Sequence, residues 1–228
     1  MTLISDADFA REAKARGFVR RTSPRRAIEA LAPRADLIVD VGVHTGTKWL
    51  YDAFPDLPFL LVDPQRGCEA ALKERPARYE FAAVGLSDRT GRMELFEQAA
   101  NSTFHIRTAL SSMQPTGARY GVEVTTFDDL LDARAPGTGR LGVKIDVEGH
   151  ELAVIRGLER HAPRVSFLVC EISVLDRFED TPAFAEVIGA LAARGLRFYN
   201  LMNPVTPKPR RHVDALFLRD DDSAFRGG

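Results

Sequence analysis

Two short segments of the chain place acidic side chains at the ends of apolar runs. Residues 144–151 read KIDVEGHE and residues 165–172 read VSFLVCEI, so Asp146 and Glu171 each lie near the end of a run typical of a buried strand. Carboxylates at neighbouring strand ends can remove a proton from a weak acid or bind a divalent cation such as Mg²⁺ or Mn²⁺. We predict Asp146, Glu148, His150 and Glu171 as catalytic candidates, with Asp146 and Glu171 as the candidate metal pair.

Each charged or titratable residue close to Asp146 in sequence could instead have a structural role. Glu148 or Glu151 can cap the helix that follows, where free N–H groups stabilise an acid by about 0.3–1 kcal/mol. For Glu151 we favour this interpretation. His150 is either a general base at the helix start or a solvated surface histidine. Lys144 is expected to pair with Asp146 or another strand-end acid, because an unpaired buried ammonium is costly.

A second chemical signature lies in residues 38–47, IVDVGVHTGT, where a β-branched run enters a glycine loop that opens a helix. In open α/β sheets, ligands bind at the carboxyl ends of such strands. An acid follows the next apolar run about twenty residues later, where it can accept hydrogen bonds from ribose hydroxyls. We predict a nucleotide-like cofactor held by Asp40, Gly42, His44, Gly46 and Asp63. Asp146 joins these candidates because its strand is expected beside the glycine-loop strand.

The loop distinguishes between two cofactors. Its glycines follow Gly42-x-x-x-Gly46 rather than G-x-G-x-x-G, so the glycine that admits a dinucleotide phosphate is missing. A carboxylate at Asp40 would also repel a pyrophosphate, by roughly 4 kcal/mol for a close pair at intermediate dielectric. S-adenosylmethionine instead carries an ammonium and a sulfonium. We predict S-adenosylmethionine and methyl transfer. An NAD-linked oxidoreductase and a cofactor-binding module without catalysis are the alternatives.

Strand-like and helix-like patterns alternate along the chain, which predicts an α/β fold with a doubly wound, mostly parallel sheet. The main strand-like runs are residues 37–41, 58–62, 78–84, 92–96, 122–127, 141–147 and 165–172. Two more runs, 196–201 and 213–218, flank a proline-rich connection and predict a C-terminal antiparallel hairpin. Residues 98–119 are polar and aperiodic, which indicates a functional loop and a candidate lid.

The ends and the bulk composition set further expectations. Helical spacing among arginines over residues 5–33 predicts a helical N-terminal extension, so we divide the chain into 1–35 and a catalytic domain over 36–228. The formal net charge of -1 favours a small-molecule or glycan acceptor over nucleic acid. No apolar run is long enough to span a membrane, and we expect a cytoplasmic protein. The sequence leaves the oligomeric state open, a homodimer included.

Several further segments carry a resemblance to a known family. In order along the chain these are DVG at 40–42, AVGLSD at 83–88, NSTF at 101–104, VTTFDDL at 124–130 and KIDVEGHE at 144–151. Together they resemble the FkbM family of methyltransferases, and the last segment is the most specific. The resemblance implies a class I methyltransferase fold with a seven-stranded, Rossmann-like sheet. It also adds Ala83 and Val84 to the cofactor-binding candidates and implies O-methylation of a hydroxyl on a sugar, glycan or glycosylated natural product.

Two positions depart from the family pattern. His44 stands where relatives commonly have asparagine, and Asp63 followed by Pro64 stands where a glutamate is more usual. Both changes conserve the expected role. The N-terminal extension and the PKPRR segment at 207–211 lie outside the resemblance, so it does not name the acceptor.

Overall fold

A computed structural model of the protein describes residues 28–29, 31, 33–98, 101–111, 117–202 and 210–226. Of the predicted N-terminal extension, Ile28, Glu29 and Leu31 are helical, and Ile28 is fully buried. The rest of the helical pattern predicted over residues 5–33 lies outside the described residues, apart from Pro33, which is not helical. The division of the chain at residue 35 stays a prediction.

Within the described residues, the main sheet is built from β1 (Leu37–Val41), β2 (Phe59–Val62), β3 (Tyr79–Ala82), β7 (Leu141–Ile145), β8 (Val165–Ser173), β9 (Leu196–Leu201) and β10 (His212–Arg219). These seven strands lie in the order β3-β2-β1-β7-β8-β10-β9. All neighbouring pairs are parallel except those that β10 makes with β8 and β9. The predicted parallel sheet and C-terminal antiparallel pair are therefore confirmed.

A smaller sheet in the described part of the chain holds β4 (Gly85–Ser87), β5 (Gly91–Phe96) and β6 (Arg119–Thr126). Its order is β4-β6-β5. The single strand predicted over residues 78–84 is wrong at its end, because β3 stops at Ala82 and the next strand, β4, belongs to the second sheet. Ala83 and Val84, which lie between β3 and β4, continue the apolar run, so the pattern alone did not mark the end of the strand.

Helices cover both faces of the main sheet, as a doubly wound fold requires. They are α1 (Lys48–Ala53), α2 (Cys68–Ala71), α3 (Phe127–Arg134), α4 (Glu151–Arg156) and α5 (Phe184–Ala192). Side chains alternate along β1, so Val39 and Val41 pack in the core with α3, α4 and α5. Ile38 packs in the opposite core with α1. Asp40 faces this second side too, where Tyr51 of α1 donates to it.

The turn after β1 depends on Gly42. Its φ of 80° lies in the left-handed region, and an added Cβ would lie 1.7 Å from the carbonyl oxygen of Asp146. The Asp146 N–H meanwhile donates to the Val41 carbonyl at 3.0 Å. The ends of β1 and β7 therefore approach so closely that no side chain fits between them.

We predict that Gly42→Ala lowers the free energy of unfolding more than Gly137→Ala does. Gly137 also has a left-handed φ, 72°, but an added Cβ would meet nothing within 4 Å. In the control, the free energy of unfolding should fall only by the conformational cost of about 1–2 kcal/mol. In Gly42→Ala it should fall by about 1–3 kcal/mol more, because the added Cβ overpacks the junction. Urea denaturation of both variants measures the difference. Equal losses would contradict the contact.

Candidate active site

The carboxyl ends of β1, β7 and β8 bring the predicted acids together. β7 lies between the other two strands, with Ile145 opposite Val41 on one side and opposite Cys170 on the other. Asp146 and Glu171, one residue further along β7 and β8, therefore come side by side. Oxygens of Asp146, Glu148 and Glu171 lie within 4.8 Å of one another. The strands that carry Asp146 and Glu171 are therefore neighbours, as the sequence analysis expected.

A first cavity opens beside these acids and combines apolar walls with a buried acid. Its apolar walls include Val62, Pro64, Val84, Leu86 and Phe104. Asp63 lies at the end of β2 in this cavity and is buried. Its carboxylate accepts the backbone N–H groups of His44 at 2.9 Å and Gln65 at 2.8 Å. Burial raises the pKa of Asp63, while these two hydrogen bonds oppose the shift.

Residues 101–111, which we call the covering segment, form part of this first cavity. Ser102, Thr103 and Phe104 line it. Thr103 Oγ1 donates to the Glu148 carbonyl at 2.6 Å, and Ser102 Oγ donates to Gln65 Oε1 at 2.8 Å. The predicted loop over 98–119 thus packs against the site in its described part. Residues 99–100 and 112–116 lie outside the described residues, and its movement as a lid stays a prediction.

A second, more polar cavity adjoins the first. It is lined by Gly42, Val43, His44, Thr45, Gly46, Thr47, Lys48, Trp49, Asp52, Asn101, Lys144, Asp146, Glu148, Glu171 and His212. Four of these residues, Gly42, His44, Asp146 and Glu148, line the first cavity too. Asp146, with 33% of its side chain exposed, therefore faces both spaces.

Two arginines compensate the buried acids. Arg177 donates to Glu171 Oε1 at 2.7 Å and to Glu148 Oε2 at 3.3 Å. Arg107, from the covering segment, lies 3.3 Å from the same Glu148 oxygen. Burial and the neighbouring Asp146 raise the pKa of Glu171, and Arg177 opposes that shift. Glu148 has a φ of 52°, a left-handed conformation that these ion pairs help to hold.

Three cofactor-binding candidates do not line the first cavity. Asp40 is fully buried and contacts Tyr51 and Lys144 instead. Its charge is therefore paired inside the protein, which removes the basis for its expected repulsion of a pyrophosphate. Ala83 is exposed outside both cavities, although Val84 lines the first. Gly46 lines only the second cavity, and its φ of 107° brings it against the Glu74 carbonyl.

His150 lies away from the acids, contrary to its predicted place beside Asp146. It is buried, with Nε2 3.0 Å from Ser87 Oγ and Nδ1 2.9 Å from His105 Nε2. Burial, with a smaller contribution from His105, lowers the pKa of His150 to about 4. It lines neither cavity, so neither of its sequence interpretations, base or solvated histidine, describes it. It anchors the covering segment instead.

Lys144 has the role that the sequence analysis favoured, whereas Glu151 does not cap the helix. Glu151 is buried, and its carboxylate accepts the backbone N–H groups of Gly149 at 3.0 Å and Val147 at 3.2 Å, which belong to the turn before α4. Lys144 Nζ lies 3.3 Å from Asp40 and 3.4 Å from Asp146. Although burial opposes its charged form, these two carboxylates raise the pKa of Lys144.

Sequence reasoning missed three side chains of the site. Arg177 lies in the segment after β8, His212 begins β10, and Trp49 lies in the first turn of α1. Arg177 donates to His212 Nδ1 at 3.2 Å, and His212 Nε2 lies 3.3 Å from Glu171. A guanidinium can only donate, so His212 is neutral with its proton on Nε2. The available sequence signal was the position of His212, directly before the strand predicted over residues 213–218.

The sheet order, with its antiparallel β10, defines a class I methyltransferase-like α/β fold. The chain belongs to the FkbM methyltransferase family, because the sequence model described as the methyltransferase FkbM domain matches residues 40–198. This membership favours a methyltransferase over the NAD-linked alternative. A comparison with curated proteins finds no match.

Several solved structures are similar to this chain at low sequence identity. Methyltransferase FkbM from Methylobacillus flagellatus has a TM-score of 0.51 and 17% identity, covering 88% of this chain and 45% of that chain. This chain thus spans less than half of that protein. An rRNA methylase from Streptococcus thermophilus has a TM-score of 0.49 and 10% identity, covering 88% of this chain and 99% of that chain. Aeropyrum pernix fibrillarin, with bound S-adenosyl-L-methionine, has a TM-score of 0.46 and 12% identity, covering 85% of this chain and 74% of that chain.

Within the part of the chain that the structure describes, no helix is long and apolar enough to cross a bilayer.

Proposed function

We propose that the protein is an S-adenosylmethionine-dependent O-methyltransferase whose acceptor is a hydroxyl of a sugar, glycan or glycosylated natural product. The observation that carries this proposal is the position of Asp146, which faces two adjoining cavities of different character. The apolar cavity with Asp63 suits a nucleoside, and the polar cavity suits a hydroxylated acceptor. A group transferred between them passes beside Asp146.

The first cavity fits S-adenosylmethionine by the chemistry of its donors. Asp63 has lone pairs beyond those used by His44 and Gln65, so it can accept the ribose hydroxyls. The apolar walls suit an adenine ring, with the Phe104 ring close above Gly85. Gly42 leaves backbone, without a side chain, next to the cavity. When bound, the cofactor supplies an electrophilic methyl group.

The chain's own contribution is to orient the acceptor and to take its proton. A sugar hydroxyl is a weak acid, so transfer needs a base near the attacking oxygen. We assign this role to Asp146. Glu148 and Glu171 form the acidic wall of the second cavity. Trp49 lies in the wall of the same cavity and offers an aromatic surface for a sugar ring.

A divalent cation is the competing form of this proposal. Asp146, Glu148 and Glu171 offer oxygen ligands within 4.8 Å of one another, the donor type that Mg²⁺ and Mn²⁺ prefer. Arg177 already donates to both glutamates, so a cation on Asp146 and Glu171 would share its ligands with a guanidinium. We therefore propose the base form first and make the cation an outcome of the test.

We predict that Asp63→Ala weakens the binding of S-adenosylhomocysteine at least tenfold. Two ribose hydroxyls lose a charged acceptor, at a cost of roughly 1.5–3 kcal/mol. Isothermal titration calorimetry measures the dissociation constant, with the exposed Asp56→Ala as a control for loss of a carboxylate. Tight binding by a folded Asp63→Ala protein would refute the ribose role.

We predict that Asp146→Asn lowers the turnover number by roughly 10² to 10⁴, the range for a lost acid–base group. The dissociation constant of the cofactor should change little, because the carboxylate acts on the reacting hydroxyl. Transfer of a tritiated methyl group from S-adenosylmethionine to a panel of glycosides and oligosaccharides first identifies the acceptor and then gives the rates.

A chelator separates the two forms of the proposal. If ethylenediaminetetraacetate leaves the activity unchanged, Asp146 acts as the base; if activity is lost and returns with Mg²⁺ or Mn²⁺, the cation form is correct. Turnover of Asp146→Asn near that of the wild type would contradict both forms and leave the orientation of the substrates as the source of catalysis.

A further inference from the structure

Asp40 is a buried acid for which the proposed cofactor site has no use. Its side chain is fully buried and belongs to neither cavity. Tyr51 donates to Oδ2 at 2.8 Å. At Oδ1 the contact is an ion pair with Lys144 Nζ at 3.3 Å, without the alignment of a hydrogen bond. The negative charge of the Asp40 carboxylate therefore balances the positive charge of the Lys144 ammonium.

Lys144 connects Asp40 to the cleft. The two residues are direct neighbours in the register of β1 and β7. The same Nζ that lies 3.3 Å from Asp40 lies 3.4 Å from Asp146 Oδ2. One ammonium is thus shared between a carboxylate that solvent cannot reach and one that faces both cavities.

We propose that Asp40 is a positioning residue that acts on Asp146 through Lys144. By attracting the Lys144 ammonium, Asp40 keeps it from forming a tight ion pair with Asp146, so that the Asp146 carboxylate stays available to the acceptor. This inference rests on the proposed function of Asp146. It replaces the role in cofactor binding predicted for Asp40.

The consequence of removing Asp40 follows from charge balance. In Asp40→Asn the ammonium keeps a single carboxylate partner and moves toward Asp146, because a buried charge must be paired. A tighter ion pair draws Asp146 away from the acceptor and weakens it as a base. Removing the ammonium as well, in Asp40→Asn with Lys144→Met, frees Asp146 again.

The test compares Asp40→Asn with that double variant and with Asp128→Asn. Asp128 is a matched control, because it is 3% exposed, accepts three backbone N–H groups and lines neither cavity. The readouts are melting temperature, the dissociation constant of S-adenosylhomocysteine, kcat and KM for the acceptor found in the glycoside panel, and crystal structures of Asp40→Asn and the wild type.

We expect Asp40→Asn to lower kcat roughly tenfold, within the range of coupling between contacting residues, with the cofactor dissociation constant unchanged. The double variant should recover most of this loss, although it carries more substitutions. In the crystal, the Lys144 Nζ to Asp146 Oδ2 distance should shorten from 3.4 Å to the 2.7–2.9 Å of a charged hydrogen bond. Asp128→Asn should lower the melting temperature and leave kcat unchanged.

Three results would overturn the inference. Weaker S-adenosylhomocysteine binding by Asp40→Asn would return Asp40 to the cofactor site. A double variant no faster than Asp40→Asn would make Asp40 a merely structural residue. An unmoved Lys144 in the crystal would remove the physical link. If the wild type methylates nothing in the panel, the proposed function fails, while the crystal distance and the binding constant still decide the role of Asp40.

Discussion

The backbone contact between the ends of β1 and β7 is the constraint on which the site depends. Because Gly42 has no side chain, the carbonyl of Asp146 can occupy the space where a Cβ would lie. The hydrogen bond from the Asp146 N–H to Val41 closes the same junction. The glycine loop and the acidic segment after β7 are therefore one structural unit. The glycine loop and Asp146 consequently line the same two cavities.

Charge compensation is the second constraint, since the site gathers acids at a partly buried edge. Lys144 lies between Asp40 and Asp146, and Arg177 lies between Glu148 and Glu171. Isolated buried charges are costly, so each cation allows two carboxylates to coexist. Asp146 is the acid with the most exposed side chain in these pairs. It is the one that we assign to chemistry.

The sequence predicted the elements that local patterns specify. Buried strands at 37–41 and 165–172, the glycine turn and the acid at Asp63 follow from apolar runs and residue type, and the structure has them. The partnership of β4 with β6 could not be predicted, because the short segment Gly85–Ser87 has no strand pattern of its own. The directions of Asp40 and His150 were missed because a position at a strand or helix end does not fix where the side chain points. Arg177 lies in the loop six residues after Glu171, His212 lies far from the motifs in sequence, and both join the site through tertiary contacts.

The central claim is that the methyl donor and the acceptor meet beside Asp146. A crystal structure of the protein with S-adenosylhomocysteine tests this most directly. We expect the ribose hydroxyls on Asp63, the adenine beside Phe104, and the sulfur directed past Asp146 into the cavity that Trp49 and His212 line. A sulfur directed away from Asp146, or a ribose that makes no contact with Asp63, would contradict it.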